Sequence, residues 1–212
     1  NDPAQTRERY GLDAVPRFNL LAVWRAVSRC DVLLSGGGSL LQDRTSTRSL
    51  LYYLSLMWLA RKKGKKVMLY ANGIGPVSRP ANRRRVKRAV EQADLVTLRD
   101  HSSAEELREM GVERKDLYVT ADPVFTMERA EPNRVEEILE KAGVVKGKEF
   151  AVVSVRDWPG TGTFPQELAG VCDHLYEKYG LVSLFVLMQP KHDRQVSRQV
   201  IDAMTCPGIL LD

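Results

Sequence analysis

The chain has 212 residues, of which 43% are hydrophobic and 28% are charged, and these proportions are typical of one large globular domain or two small ones. Its three cysteines are far apart and form no Cys-x-x-Cys pair, which excludes a cysteine zinc site and a disulfide framework and suits a reducing compartment. No run of about 18 apolar residues is present, so the sequence predicts no transmembrane helix.

The formal net charge is +5, and much of the excess lies in two clusters, residues 61–66 and 79–88. A basic surface favours an anionic partner, such as a phosphate, an acidic polysaccharide, a membrane surface or a nucleic acid. The alternative is that both clusters are solvated helix ends, because Lys and Arg near a helix C-terminus are favoured by its dipole. Nucleic acid is the weakest of these partners, since no aromatic residues are interleaved with the basic ones and no recognition motif is present.

The first part of the chain leads into a glycine turn. Residues 1–17 are predicted to be irregular. Apolar residues at helical spacing predict a helix over 19–29, with Trp24 in the core. A buried strand over 32–34 follows, and directly after it come three consecutive glycines: Gly36, Gly37 and Gly38.

The glycine turn matches neither common nucleotide motif. Gly36 and Gly38 fit the start of Gly-x-Gly-x-x-Gly, but Leu41 occupies the third glycine position, and no Gly-Lys-Ser/Thr follows. The turn serves either tight packing or the binding of a ligand by backbone N–H groups. A ligand site is favoured by the short polar side chains around it: Ser35, Ser39, Gln42 and Asp43.

The remaining pattern predicts an α/β fold with parallel, Rossmann-like sheets and right-handed crossovers. The helix over 50–60 is apolar almost all round and is expected to be buried on most sides. We expect a first domain over 1–130, a linker or crossover helix over 131–148, and the beginning of a second domain over 149–212. Further helices are predicted over 80–93, 102–111 (capped by Ser102 or Ser103), 132–143, 164–179 and 194–204. Strands are predicted over 67–71, 95–98, 117–120, 150–155, 181–188 and 209–211.

Every strand of the first half ends in polar or glycine residues. In parallel strands these ends meet at one edge of the sheet, which is where open α/β sheets bind their ligands. This convergence is stronger evidence for a site than any single motif. The strand ends are Ser35-Gly36, Asn72-Gly73, Arg99-Asp100 and Asp122-Pro123.

Several motifs together resemble the polysaccharide pyruvyl transferases, and most closely the bacterial CsaB type. The similar segments run through nearly the whole chain in the order of the family. They are Ser35-Gly-Gly-Gly-Ser-Leu-Leu-Gln-Asp43, the Thr-Ser before Tyr52-Tyr53, Ala71-Asn-Gly-Ile-Gly-Pro-Val77, Leu98-Arg-Asp100 with Ser103, Ala121-Asp-Pro-Val-Phe125, and Ser154-Val-Arg-Asp-Trp158.

The resemblance implies two Rossmann-like domains facing a cleft, similar to the B-type glycosyltransferases. It implies transfer of an enolpyruvyl unit from phosphoenolpyruvate to a sugar of a cell-wall polysaccharide, with a cyclic pyruvate ketal as the product. Such ketals anchor proteins in S-layer bacteria. Phosphoenolpyruvate is the donor substrate, and neither a further cofactor nor a metal is implied. The acceptor would be a lipid-linked or polymeric saccharide, which suggests a cytoplasmic protein that can contact the inner face of the membrane.

Two features of the family are not matched. The family begins with a strand and a polar, glycine-rich loop upstream of the first residue, and it carries an Arg-Leu-His motif late in the second domain. None of His101, His174 and His192 lies in such a motif. We therefore expect both ends to be truncated and the chain to be an incomplete catalyst.

Arginine suits the phosphate and the carboxylate of phosphoenolpyruvate because its planar fork binds both groups with two hydrogen bonds. Arg156 is the first candidate, with a structural ion pair to Asp157 as the alternative. Arg99 is the second candidate, and Asp100 is its alternative partner. The other substrate-binding candidates are Gly36, Gly37, Gly38, Ser39, Gln42, Asn72, Gly73 and Trp158, which either stacks on a sugar ring or packs in the core.

Formation of a ketal requires an acid for the donor methylene carbon and a base for the sugar hydroxyl. Asp43, Asp122 and His192 are the catalytic candidates. Asp122 is equally suited to a turn before Pro123, and a lone loop histidine is commonly without a role. Two other functions stay open: a nucleotide-sugar glycosyltransferase of the same architecture, and a non-catalytic glycan-binding module.

Overall fold

The computed structural model describes residues 2–145, 147–156 and 162–211. Trp158 lies outside the described residues. The chain divides into two compact units, Asn1–Met127 and Glu128–Asp212. Each unit is a parallel β-sheet with helices in the crossovers, so the α/β class predicted from the strand–helix alternation is present in both.

The first unit contains a four-stranded parallel sheet in the order β1-β2-β3-β4. Sequential order follows from short right-handed crossovers that place each strand beside its predecessor. The strands are β1 (Val32–Gly36), β2 (Lys66–Asn72), β3 (Leu95–Leu98) and β4 (Leu117–Val119). The helices are α1 (Pro3–Tyr10), α2 (Leu20–Arg29), α3 (Thr47–Lys62), α4 (Pro80–Glu91) and α5 (His101–Glu109), and a 3-10 helix covers Pro123–Thr126.

The core of the first unit lies between one face of this sheet and helices α3, α4 and α5. Alternate residues of β2 and β3 point into it, and each fully buried Leu or Val contributes about 1.5–3 kcal/mol. On the opposite face of the sheet, Leu34, Tyr70 and Tyr118 are exposed. The largest fully buried side chains of this core are Leu41, Leu50, Leu69, Leu98, Leu107, Val67, Val77, Val86, Val90 and Val96.

The second unit has a three-stranded parallel sheet in the order β5-β6-β7. Phe185 in the middle strand is completely buried against α7 and α8. The strands are β5 (Phe150–Val153), β6 (Val182–Val186) and β7 (Gly208–Leu211). The helices are α6 (Pro132–Lys141), α7 (Phe164–Tyr179) and α8 (Pro190–Ala203).

Two expectations about the start of the chain are wrong. Residues 1–17 are not wholly irregular, because α1 is capped by Asp2 through Ala4 N–H and ends at Gly11 with φ 63°. No residue of α1 is buried, so the helix leaves no apolar pattern in the sequence. Trp24 is 46% exposed rather than in the core, because α2 packs through Val23 and Val27.

Three helices differ from expectation. Helix α3 is not buried on most sides, since Leu51 and Trp58 are exposed. Helix α5 is capped by Asp100, not by Ser102 or Ser103, because the Asp100 carboxylate accepts the Ser103 N–H at 2.8 Å. Helix α8 begins four residues earlier than expected, so His192 lies in its first turn and not in a loop.

Candidate functional site

Two glycine loops lie side by side at the carboxyl edge of the first sheet. Leu41 and Ile74 form a parallel bridge beyond the ends of β1 and β2. Gly73 N–H donates to Gly38 O at 3.2 Å, and Gly75 N–H donates to Leu41 O at 2.9 Å. The loops therefore continue the strand pairing and form one rigid edge.

Asn72 is the residue at which β2 turns into its loop. The register of β2 on β3 shifts between Leu69 and Asn72, and Ala71 has a positive φ of 45°. This irregularity leaves Asn72 fully buried, where its side-chain amide donates to Ser35 O and Tyr70 O. Its Oδ1 atom is buried without a hydrogen-bond partner in the described part of the chain. An unpartnered buried acceptor costs about 1–3 kcal/mol, and such costs are often retained at functional sites.

Arg99, at the end of β3, is the centre of the side-chain cluster at this edge. Its Nη2 atom donates to Ser39 Oγ at 3.0 Å, and its Nε atom donates to Asp100 Oδ2 at 3.2 Å. Its Nη1 atom lies 3.5 Å from Asp122 Oδ2. The side chain is 32% exposed, so one guanidinium links three strand ends and still faces solvent.

Gly73 lies directly behind this guanidinium. A Cβ atom on Gly73 would lie 2.6 Å from Ser39 Oγ and 2.7 Å from Arg99 Nε. Real Cβ atoms do not approach other atoms so closely, so any side chain here displaces Arg99 or Ser39. The glycine is required because the backbone of one loop contacts the side chains of the other strand ends.

The hydrogen bonds that Asp100 accepts lower the pKa of its carboxyl group. Hydrogen bonds from Ser103, supported by Ser102 and Arg99, outweigh the effect of burial and lower its pKa to about 2. Ser103 is only 2% exposed, and its Oγ atom also accepts Ile74 N–H at 2.9 Å. Asp100 therefore holds α5 and the second glycine loop in place through Ser103.

Asp122 is held between two donors. Its Oδ1 atom accepts Val124 N–H at 3.1 Å, which caps the short 3-10 helix, and Oδ2 pairs with Arg99. The carboxylate is 38% exposed. Asp122 therefore both caps the turn that begins at Pro123 and takes part in the cluster around Arg99.

Asp43 has a structural environment. Its carboxylate accepts Ser78 N–H at 2.9 Å, Arg79 N–H at 3.1 Å and Asn82 Nδ2 at 2.8 Å. Burial alone would raise the pKa of Asp43, but these hydrogen bonds outweigh it and lower the pKa. The two accepted N–H groups belong to the residues directly before α4, so Asp43 fixes the segment that leads into this helix.

We expect Asp43→Ala to lower the free energy of unfolding by about 1–2 kcal/mol, because it removes a charged acceptor of three hydrogen bonds. Urea unfolding measures the loss. Asp31→Ala is the control, because Asp31 is exposed. Equal stabilities of the two variants would show that these hydrogen bonds contribute nothing.

The other candidates of the first loop have local roles. Gly37 and Gly38 have φ angles of 59° and 73°, which favour glycine, and no atom would contact a Cβ at either position. Gly37 N–H donates to Tyr70 O at 3.3 Å, so it is already paired. Gly36 is the last residue of β1. The Gln42 side chain closes a turn onto Thr45, through Thr45 N–H and Thr45 Oγ1.

The second unit has its own polar group at the carboxyl edge of β5 and β6. Arg156 Nε donates to Asp193 Oδ1 at 3.2 Å, and the Asp193 side chain is only 1% exposed. Asp193 also accepts Gln189 N–H at the start of α8. That bond is the main reason for its lowered pKa, with Arg156 adding to the effect against burial. His192 lies beside Asp193 and is exposed.

The arrangement in this unit suits an anion. The Arg156 side chain is 48% exposed, and Asp193 holds it through Nε. The two terminal nitrogens, Nη1 and Nη2, take no part in this bond. The N-terminus of α8 adds a partial positive charge. Among the described residues no group of three His, Cys, Asp or Glu side chains is placed to hold a metal ion.

Comparison with known families decides the relationship. The model of the polysaccharide pyruvyl transferases matches residues 1–205. The chain belongs to this family. The family resemblance inferred from the motifs is therefore confirmed.

A solved structure agrees with the fold of this pyruvyl transferase family member. It is described as the S. aureus MnaA-UDP co-structure, with a TM-score of 0.54 and 12% sequence identity. The match covers 99% of the present chain and 57% of the MnaA chain, so the chain spans little more than half the length of that protein. At this identity the likeness concerns the fold alone, and it confirms the parallel α/β architecture. A search of curated proteins gives no significant match.

The structure brings Ser39, Asn72, Gly73, Arg99 and Asp122 together at one edge, and it places Gln42 and Asp43 in the adjoining loop. Arg156 and His192 lie in the second unit. Sequence reasoning missed the roles of Ser103 and Asp193. Asp193 carried one usable signal, because a carboxylate three residues after Pro190 falls in the first turn of a helix.

Proposed function

We propose that the protein transfers a pyruvyl group from phosphoenolpyruvate to a saccharide of a cell-wall polymer and forms a pyruvate ketal. The observation that carries this proposal is the Arg156–Asp193 pair beside the N-terminus of α8. It offers a fixed guanidinium and a helix N-terminus to a small dianionic donor. Family membership supports a transferase acting on polysaccharides.

The donor would bind at the second unit. Arg156 would direct its terminal nitrogens at the phosphate or the carboxylate, which a planar guanidinium binds with two parallel hydrogen bonds. Asp193 would act as a positioning residue, since it orients Arg156 and holds the start of α8. His192 is exposed in the same turn, and we propose it as the acid that protonates the donor methylene carbon.

The saccharide would bind at the carboxyl edge of the first unit. Two carboxylates surround a single guanidinium there, so the cluster at Arg99 carries a net negative charge and suits neutral hydroxyl groups better than phosphate. Asp122 is partly exposed and would accept a hydroxyl proton. Asn72, Gly73 and Ser39 would fix the sugar, whereas we assign Asp43 to holding the segment before α4 because three donors already occupy its carboxylate.

The proposed reaction balances without a redox partner. One sugar hydroxyl attacks C2 of phosphoenolpyruvate while C3 gains a proton and becomes a methyl group. A second hydroxyl then displaces phosphate from C2. The proton of one hydroxyl is accounted for by the new methyl group, and that of the other leaves with the phosphate. The donor is therefore the only cofactor-like molecule that the proposal requires.

The test is a calorimetric titration of the protein with phosphoenolpyruvate. We expect Arg156→Ala to weaken binding about tenfold to a hundredfold, because a charge-assisted hydrogen bond contributes about 1.5–3 kcal/mol. Arg156→Lys should retain part of the affinity, since it keeps the charge but loses the fork.

Arg198→Ala is the matched control, because Arg198 is an exposed arginine farther along α8. It should bind phosphoenolpyruvate as the unchanged protein does. If Arg156→Ala and Arg198→Ala lose the same affinity for phosphoenolpyruvate, the loss reflects the net charge of the protein and not a specific contact with Arg156. Absence of binding by the unchanged protein would remove the proposal for this chain, and the same titration of a chain extended at both ends then tests the family's activity.

A nucleotide-sugar glycosyltransferase is the second candidate, and the specific observation in its favour is the fold shared with a protein solved with UDP. Titration with UDP separates the two: UDP binding without phosphoenolpyruvate binding supports the glycosyltransferase. A non-catalytic glycan-binding module would bind a saccharide and neither donor.

We also propose that the acceptor is lipid-linked or polymeric, and that the protein acts in the cytoplasm. No described helix is long and apolar enough to cross a membrane.

A further inference from the structure

Helices α3 and α4 pack side by side in the first unit and leave a groove of about 300 Å³ between them. Its floor is apolar and includes Leu54, Met57 and Ala89. Three guanidinium groups line its sides, those of Arg61, Arg85 and Arg88. Trp58, from the middle of α3, also lines the groove and is 60% exposed. The groove is therefore both apolar and cationic.

The sequence around the groove is extremely uneven in charge. Residues 44–90 contain 13 lysines and arginines and no aspartate or glutamate. Since the whole chain has a formal net charge of +5, this segment at +13 leaves −8 for the remainder. Helix α3, the turn after it and all of α4 except its last residue fall within this segment. That last residue, Glu91, pairs with Lys87 at 3.5 Å. The positive charge is thus concentrated on one part of the molecule, not spread over its surface.

Internal ion pairs neutralise only part of this charge. Arg61 and Lys66 share Asp94, and Arg83 pairs with Glu106. Within the part of the chain that the structure describes, Arg84 and Arg88 have no acidic partner. These cations remain available for an external anion.

The aromatic side chains beside the cations are arranged as at a membrane interface. Lys62 Nζ lies 5.8 Å from the Trp58 ring centroid, and Lys63 Nζ lies 4.0 Å from the Trp24 ring centroid. Leu51, which also lines the groove, is 40% exposed. Exposed tryptophan and leucine beside lysine and arginine are typical of protein surfaces that lie at the headgroup level of a bilayer.

We infer that the α3–α4 groove and its basic surroundings bind a bilayer surface that contains anionic phospholipids. The cations would contact lipid phosphates, and Trp58 and Leu51 would enter the boundary between headgroups and acyl chains. Nucleic acid explains the charge but not the apolar floor or the exposed leucine. This inference goes beyond the proposed transfer reaction and does not depend on it, because the residues of the groove are separate from Arg156 and Arg99.

The test is sedimentation of the protein with vesicles of equimolar phosphatidylcholine and phosphatidylglycerol, compared with vesicles of phosphatidylcholine alone. We expect binding to the anionic vesicles only. Lys62→Glu with Arg88→Glu should weaken it at least about tenfold, because each basic residue near an anionic surface contributes on the order of a factor of five. The control, Arg108→Glu with Lys115→Glu, makes the same change of charge at exposed positions outside the groove and should bind nearly as well as the unchanged protein.

A second measurement separates insertion from adsorption by charge. Brominated acyl chains should quench the fluorescence of Trp58, and Trp58→Ala should weaken vesicle binding while urea unfolding shows that the variant is folded. The inference is overturned if anionic vesicles do not bind or if the two double variants lose affinity equally. It is also overturned if double-stranded DNA binds more tightly than the vesicles at the same salt concentration.

Discussion

Asp100→Ala is expected to lower the free energy of unfolding of the first unit by about 3 kcal/mol. The carboxylate accepts hydrogen bonds from Ser103 N–H, Ser103 Oγ, Ser102 Oγ and Arg99 Nε. Bonds to a charged group contribute about 1.5–3 kcal/mol, and removal of the acceptor leaves the buried Ser103 hydroxyl without it. Urea unfolding followed by circular dichroism measures the loss.

Asp13→Ala is the matched control, because Asp13 is an exposed aspartate of the same unit. It should change stability by less than about 0.5 kcal/mol. Asp100→Asn should fall between the two, since it keeps one acceptor and loses the charge. If Asp100→Ala is no less stable than Asp13→Ala, Asp100 does not hold α5 and the second glycine loop together.

The same carboxylate predicts a dependence of stability on pH. The pKa of Asp100 is lowered from 3.8 to about 2 in the folded protein, so its contribution is complete above pH 3.8 and is lost as the pH falls through 2. A shift of this size corresponds to roughly 2 kcal/mol, and solvent screening at a partly exposed group reduces it to about 1 kcal/mol. Between pH 4 and pH 2, the unchanged protein should therefore lose more stability than Asp100→Asn does.

If the proposed function holds, Gly73→Ala is expected to reduce the rate of pyruvyl transfer about a hundredfold. The new Cβ would lie 2.6 Å from Ser39 Oγ and 2.7 Å from Arg99 Nε, so the guanidinium has to leave its position. Displacement by about 1 Å of groups that position a substrate is sufficient for such a loss. Release of phosphate from phosphoenolpyruvate in the presence of saccharide measures the rate.

A readout independent of the reaction is the NMR signal of the Arg99 Nε–H group, which should shift when its bond to Asp100 is lost. Gly170→Ala is the control, because no atom lies within 4 Å of a Cβ at this position in α7. It should leave the rate unchanged and raise the stability of its helix slightly. An unshifted Arg99 signal in Gly73→Ala would contradict the proposed contact.

The site residues were predicted to converge, and the reason is local. An apolar run followed by polar or glycine residues marks the end of a strand in the sequence. Parallel strands then bring all such ends to one edge of the sheet. Ser39, Asn72, Gly73, Arg99 and Asp122 meet for this reason. The motifs that carry the family resemblance are these same strand ends, so the family was also accessible from the sequence.

The contacts within the site were less accessible. An ion pair with the neighbouring Asp157 was the structural alternative for Arg156, and Asp157 lies outside the described residues. The structure shows a pair of Arg156 with Asp193, 37 residues away. Asp43 was predicted as a catalytic carboxylate from its place in the glycine loop. The structure adds that it binds backbone N–H groups 35 and 36 residues later in the chain, directly before α4. The predicted burial of Trp24 was wrong for a similar reason. Trp24 fits an apolar stripe at helical spacing, but it lies outside the part of α2 that packs against the core.

By itself, the sequence determined the alternation of strands and helices, the edge at which polar groups gather, the family, and the concentration of positive charge between residues 44 and 90. These depend on short-range spacing and composition, which a linear pattern records. Only the tertiary structure decided which carboxylate holds which arginine, why position 73 admits no side chain, and that α3 and α4 enclose an apolar groove beneath that charge. Such contacts join residues distant in the chain, and they are fixed by the register of the strands and the packing of the helices.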